Sequence, residues 1–127
     1  RFPGLKVVSA ELNCGWLPFF LFRIDERFDA TGIRFRGTPF STKLTLKPSE
    51  YFRRQLYATF IDDLFGVNHR HAIGVDNILW SSDFPHSATF WPHSQEKIAK
   101  DFQGVAEEDR QKILWKNTAK LYGFDMD

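Results

Sequence analysis

Leu5 to Leu12 (LKVVSAEL) is a nearly continuous apolar run, the pattern of a strand covered on both faces. Asn13-Cys14-Gly15 interrupts it. From Leu17 the period changes. Leu17, Phe20, Leu21, Ile24 and Phe28 recur at i, i+3, i+4, i+7 and i+11, which predicts an amphipathic helix over 17–28 with Pro18 in its first turn. Residues 29–48 are polar, contain Gly32, Gly37, Pro39 and Pro48, and read as a long loop of the kind that carries function. A second strand is predicted over Leu56 to Ile61 (LYATFI), a helix or helical turn over Asp63 to Val75, and a third strand over Asn77 to Ser82 (NILWSS). After another polar loop, Ser94 is an N-cap candidate for a helix over Gln95 to Phe102, ended by Gly104. Glu107-Glu108-Asp109 places negative charge at the start of a last helix, which favours its dipole. Ile113, Leu114 and Leu121 give that helix an apolar face, and Gly123 stops it. Strands alternating with helices predict an α/β architecture of parallel strands with covering helices. Three such strands are few for a free-standing sheet, because parallel sheets need cover on both faces.

Composition narrows the picture. The chain has 127 residues, a length for one domain rather than two cores. With 43% hydrophobic residues and a net charge of +1 it is not an intrinsically disordered chain. The 17 basic and 16 acidic residues nearly cancel, which argues against a nucleic-acid footprint. No apolar run approaches the length of a membrane span, and the opening Arg1-Phe2-Pro3-Gly4 is a turn, not a signal peptide. The single Cys14 excludes an internal disulfide and fits a reducing, cytoplasmic compartment. Arg1 at the start and Met126 as the only methionine lead to the expectation of a portion of a longer polypeptide. Aromatic residues reach 17%, with Phe alone occurring 14 times, a large core-forming surface for this length.

In parallel α/β folds, ligands bind outside the carboxyl ends of the strands. Here those ends carry acids: Glu11 after the first strand, Asp62-Asp63 after the second and Asp83 after the third. Such carboxylates serve as metal ligands or acid/base groups, although Asp and Glu also cap helices and populate loops. Asp83-Phe84-Pro85-His86 is the sharpest element: a carboxylate at the end of an apolar strand and a histidine three residues later, both competent to bind a divalent ion. His69, His71 and His93 lack ligand-like spacing and read as surface or packing groups. Arg53 and Arg54 precede the second strand; one is a candidate for a substrate carboxylate, against the alternative of a solvated pair. The four tryptophans, Trp16, Trp80, Trp91 and Trp115, are more often packing than platforms. Cys14 reads as a small buried thiol rather than a nucleophile.

The segments RFPGLKVV (1–8), YFRRQ (51–55), IGVDNILWSSDFPH (73–86) and NTAKLYGF (117–124) occur in the order found in the amidohydrolase-related metal-dependent hydrolases. The chain resembles their aminocarboxymuconate-semialdehyde decarboxylase-like branch over essentially its whole length. The resemblance implies a TIM (β/α)8 barrel with a mononuclear or binuclear divalent metal site. Residues 1–127 would be the C-terminal portion of that single barrel domain: its last three parallel strands and their helices, with the N-terminal portion absent. Asp83 would be the aspartate at the end of the eighth strand, binding the metal or its activated water, and His86 would lie beside the same mouth. The family's H-x-H pair and a further histidine belong to earlier strands, so most metal ligands fall outside this chain. Glu11 stands where the decarboxylases resembled carry a histidine at the end of the sixth strand, and is expected to orient a water or substrate.

Two readings follow. In the first, the chain is part of a metal-dependent enzyme that hydrolyses, or decarboxylates without oxidation, a small organic acid. Asp83 and Glu11 are then the catalytic residues, Asp83 is also the metal ligand, and His86, Arg54 and Trp16 are the expected substrate contacts. Zinc is the expected ion, with manganese second. The partners are a small-molecule substrate and, for exposed sheet edges, a second copy or the remaining barrel portion, with no nucleic acid or membrane. In the second, the chain is a non-catalytic α/β module for self-association or partner binding.

Overall fold

The computed structural model of the chain describes residues 2–34 and 44–125. Three short strands, β1 (Val7–Ser9), β2 (Leu56–Phe60) and β3 (Ile78–Trp80), form a parallel sheet in the order β1-β2-β3. Val8 pairs with Tyr57, and Thr59 with Leu79. Because side chains alternate along a strand, Ala58, Phe60, Ile78 and Trp80 face one side while Val8, Tyr57, Thr59 and Leu79 face the other. The first set belongs to or packs on the core; of the second, only Leu79 is fully buried.

β1 is shorter and barer than its apolar run predicts. Three of its residues pair with β2, and Val7 is 45% exposed. It is an edge strand with one neighbour among the described residues, and with Val7 exposed and Val8 and Ser9 half-buried its faces are not both covered there.

The helices also revise the expected boundaries. α1 (Leu17–Arg34) continues past Phe28 into the stretch predicted as loop, and residues 35–43 of that stretch lie outside the described residues. α2 (Pro48–Gln55) was not foreseen. Pro48 occupies its first turn, where no backbone N–H is needed. The Lys47 N–H donates to Glu50 Oε2 at 2.8 Å, and Asp25 of α1 accepts from both the N–H (2.9 Å) and the hydroxyl (2.6 Å) of Ser49. α2 is therefore capped by a neighbouring helix as well as by its own first turn. The single helix expected over Asp63 to Val75 is instead α3 (Leu64–Asn68), α4 (Arg70–Ile73) and a 3-10 turn, Val75–Asn77. α5 (Ser94–Asp101) begins at Ser94, with His93 in the cap position, so Ser94 does not cap it. α6 (Glu107–Gln111), a π-helical turn (Lys112–Lys116) and α7 (Asn117–Tyr122) run end to end. Gly123 ends them at φ 71°, a left-handed conformation that costs glycine nothing, and the Phe124 N–H closes the cap on the Ala119 carbonyl at 2.9 Å.

The core lies between the sheet and these helices. Leu17 and Leu21 of α1, Phe52 of α2, Val67, Ile73, Ile98, Phe102 and Ile113 converge on Ala58, Phe60 and Ile78. Burying each large apolar side chain contributes about 1.5–3 kcal/mol. Two buried amides fasten the strands. Asn77 Nδ2 donates to the carbonyls of Arg53 (2.9 Å) and Leu56 (2.7 Å), and Asn117 Nδ2 donates to those of Val75 (2.8 Å) and Ile78 (2.9 Å). No helix among the described residues is long and apolar enough to cross a membrane.

Candidate metal and acid–base site

The carboxyl ends of all three strands emerge on one rim of the sheet, and the loops there are unusually constrained. Glu11 has φ 63°, Asn13 φ 54° and Asp83 φ 52°. Left-handed backbone is tolerated by Asn and Asp through local hydrogen bonds, but costs Glu about 1 kcal/mol. Strain of this kind persists only where the surroundings over-determine it, and it concentrates at functional sites.

Each site residue is held by its own loop. The Glu11 N–H donates to Thr59 Oγ1 of β2 at 3.0 Å. Asn13 spans to the loop after β2, its amide donating to the Asp62 carbonyl at 3.3 Å while its oxygen accepts from the Ile61 N–H at 3.4 Å. On the other side, the Ser81 N–H donates to the Phe60 carbonyl at 2.9 Å, extending the pairing of β2 and β3 almost to Asp83. A tight turn follows, closed by the His86 N–H on the Asp83 carbonyl at 2.9 Å.

These constraints bring Glu11, Asp83 and His86 together. One ligand atom from each lies within 4.8 Å of the others. His86 Nδ1 is 3.0 Å from Asp83 Oδ1. The side chain of Asp83 is 12% exposed and that of His86 66%, so a shielded carboxylate is joined to an imidazole open to solvent. Two carboxylates and an imidazole are a donor set for a divalent cation, and the spacing leaves room for one ion between them.

The other expected site residues fall elsewhere. Arg54 is in the last turn of α2, ahead of β2 and so at the amino end of the sheet. Its guanidinium lies over the Tyr51 ring at 4.8 Å and donates to Gln55 Oε1 at 2.9 Å. The strand β2 lies between Arg54 and the acidic rim, so Arg54 is not one of the residues that meet in the cluster. Trp16 stands at the correct end, but its indole donates to the carbonyls of Leu12 and Asn13 and its ring packs edge-on against Phe20. It braces the loop after β1 and is not in the cluster. Among the remaining histidines, His69 stacks on Phe65, His71 meets Asp109 at 3.3 Å and His93 meets Glu96 at 3.4 Å.

The acidic pair after β2 splits in two directions. Asp63 turns inward as a cap: Oδ2 accepts from the N–H groups of Cys14 (2.7 Å) and Gly15 (2.6 Å), and Oδ1 from Gly66 at 2.8 Å. Gly66 is required by this approach, since a Cβ there would strike both Cys14 Sγ and the Asp63 carboxylate. Cys14 is fully buried, and burial first, then the charge and hydrogen bond of Asp63, push its thiol far above the ordinary range. It is a packed thiol, not a nucleophile. Asp62 turns outward to Lys97 of α5, whose ammonium also meets Asp101, each at 2.5 Å. Thr59, Asn13 and Lys97 thus support the rim. Asn13 had a sequence signal, because Asn tolerates left-handed backbone. Lys97 had none, because its partner Asp62 is on another element.

Comparison with known proteins assigns the chain a family. Residues 1–124 match the amidohydrolase family. The chain is 29% identical over 136 residues to the gamma-resorcylate decarboxylase of Polaromonas sp. (strain JS666 / ATCC BAA-500), covering 96% of this chain and 35% of that protein. Among solved structures, the 5-carboxyvanillate decarboxylase of Sphingomonas paucimobilis superposes with a TM-score of 0.70 at 28% identity, covering 98% of this chain and 36% of that one. The dihydroxybenzoic acid decarboxylase of Polaromonas sp. JS666, solved with bound manganese and the inhibitor 2-nitroresorcinol, gives a TM-score of 0.70 at 25% identity over 99% of this chain and 36% of that one. The chain therefore spans about a third of the length of the relatives it matches. Its parallel sheet with covering helices corresponds to a part of their TIM barrel. With the match running across nearly all of its residues, the chain belongs to the amidohydrolase family.

Proposed function

We propose that this chain supplies one side of the active site of a metal-dependent amidohydrolase-superfamily enzyme acting on a small organic acid, by non-oxidative decarboxylation or hydrolysis. The observation that carries the reading is the convergence of Glu11, Asp83 and His86, from the ends of two different strands, within 4.8 Å. The three relatives, all decarboxylases of aromatic acids by name, favour decarboxylation. In this reading residues 1–127 belong to a single barrel domain, and the remaining ligands come from outside them.

Asp83 and Glu11 would hold a divalent ion with His86 beside them, and that ion supplies Lewis-acid polarisation of a carboxylate or carbonyl oxygen. Zinc and manganese both accept oxygen and imidazole donors; zinc is the expectation from the sequence, and manganese is the ion bound in the Polaromonas structure. The chain's own residues move the proton. In decarboxylation a proton replaces the departing CO2: it enters at the His86 imidazole open to water, crosses the hydrogen bond to the shielded Asp83 carboxylate, and is delivered from there to the substrate carbon. Glu11, exposed and fixed by its backbone to Thr59, orients substrate or water across the site. The buried single thiol is compatible with a reducing cytoplasm, and the bare sheet edges with further barrel strands.

The test is metal analysis and turnover of the intact protein beside its Asp83→Asn form. The variant is expected to lose bound metal and at least about a hundredfold in turnover. Equal metal content and equal turnover in the two proteins would overturn the assignment.

A further inference from the structure

Lys97 lies on α5, outside the Glu11–Asp83–His86 cluster, yet its ammonium is engaged by two carboxylates and an aromatic ring near the rim. Its side chain is 16% exposed. Its ammonium makes two ion pairs of 2.5 Å, to Asp62 after β2 and to Asp101 one turn along its own helix, and sits 5.1 Å from the centre of the Phe90 ring. Burial pulls its pKa down, but the hydrogen bonds to Asp101 and Asp62 outweigh that and keep it charged.

The placement of these partners matters more than their number. The segment from Ser81 to His93, which carries Asp83 and His86, leaves β3 at one end and enters α5 at the other. Sheet pairing fixes the first end. The Lys97–Asp62 pair fixes the second, joining the first half of α5 to the end of β2. Phe90, inside the segment, rests on the same ammonium. Asp62 is in turn tied through its carbonyl to Asn13, two residues from Glu11. One cation thereby links the loops after β1, β2 and β3.

We propose that Lys97 is a positioning residue for the site, acting through Asp62 and Phe90 to hold the segment 81–93 so that Asp83 and His86 stay within reach of Glu11. This rests on the cluster's being the functional site, as proposed above. Removing Lys97 itself would leave the buried Asp101 without its ion-pair partner and would endanger folding. The informative cut is therefore at Asp62, whose side chain is 57% exposed.

Amide exchange and Mn²⁺ titration are measured on the intact protein, its Asp62→Ala form and its Lys97→Arg form. In Asp62→Ala, the amides of His86, Thr89 and His93, which close turns within the segment, are expected to exchange about tenfold faster. Those of Ala58 and Ile78 in the sheet should keep their rates, and Mn²⁺ affinity should fall about tenfold. Lys97→Arg, which keeps the charge and both partners, should retain loop protection and affinity. Unchanged exchange across 81–93 in Asp62→Ala, or a uniform rise that includes the sheet, would overturn the positioning role. Faster exchange confined to the segment, in a protein whose wild-type form binds no Mn²⁺, would sustain the bracing role and defeat the metal reading instead.

Discussion

Glu11 shows how one residue can serve chemistry at the expense of the fold. Its φ of 63° is a conformation that a β-carbon resists, and its side chain is exposed at the rim with Asp83 and His86 rather than packed. Glu11→Gly removes both the strain and the carboxylate. It is expected to raise unfolding free energy by about 1 kcal/mol in urea titrations. The same substitution should weaken divalent-metal binding in a direct titration. A parallel loss of stability and binding would mean that Glu11 is structural. The sequence exposed the cluster's chemistry but not its selection. Glu11, Asp62, Asp63 and Asp83 look alike as acids after strands, yet Asp63 faces backbone N–H groups, Asp62 faces Lys97, and two meet His86. What separates them is the direction of each side chain, which depends on the local backbone and on partners far away in sequence.

At the scale of the elements, local signals carried the strands and the final glycine cap but misplaced other helix ends and missed the polar helix. The core positions Ala58, Phe60, Ile78 and Ile113 fall where the apolar pattern placed strands and the last helix. α2 was invisible because PSEYFRRQ buries only Ser49 and Phe52, too thin an apolar stripe to show a helical period. Its stability comes from Pro48, Glu50 and the reach of Asp25 from α1. The terminal motif Asn117-Thr118-Ala119-Lys120-Leu121-Tyr122-Gly123-Phe124 has a structural explanation at three positions. Asn117 clips the start of β3, Ala119 is buried beneath it, and Gly123 supplies the left-handed cap. Asn117→Ala removes two hydrogen bonds and leaves the carbonyls of Val75 and Ile78 without that partner. Unfolding free energy should fall by about 2 kcal/mol, read from a denaturant curve, and a loss below about 0.5 kcal/mol would show that the clip is dispensable.

For the molecule as a whole, the aromatic excess is explained by what remains uncovered. Phe2, Phe19, Phe22, Phe65, Phe84 and Trp91 are exposed, and both edge strands of the sheet have one partner among the described residues. Surface of that kind is cover for further structure, consistent with a chain that spans about a third of its relatives. Length and composition alone suggested a self-contained domain; only the strand count and the family motifs pointed to a section of a barrel.

The packing of Cys14 gives this assembly a stopwatch. The sole thiol of the chain sits under the rim, pressed by Gly66 and kept protonated by its surroundings. A labelling reagent reaches it only when the junction of the β1 loop and α3 parts, so the speed of alkylation counts those openings. In the folded protein the reaction is expected to run at least about a thousandfold slower than with an unstructured cysteine peptide. Reagent consumption followed by absorbance or mass spectrometry checks this. Addition of a divalent ion that draws the rim together should slow the clock further, so that a reporter already present in the sequence times the breathing of the site it lies beneath.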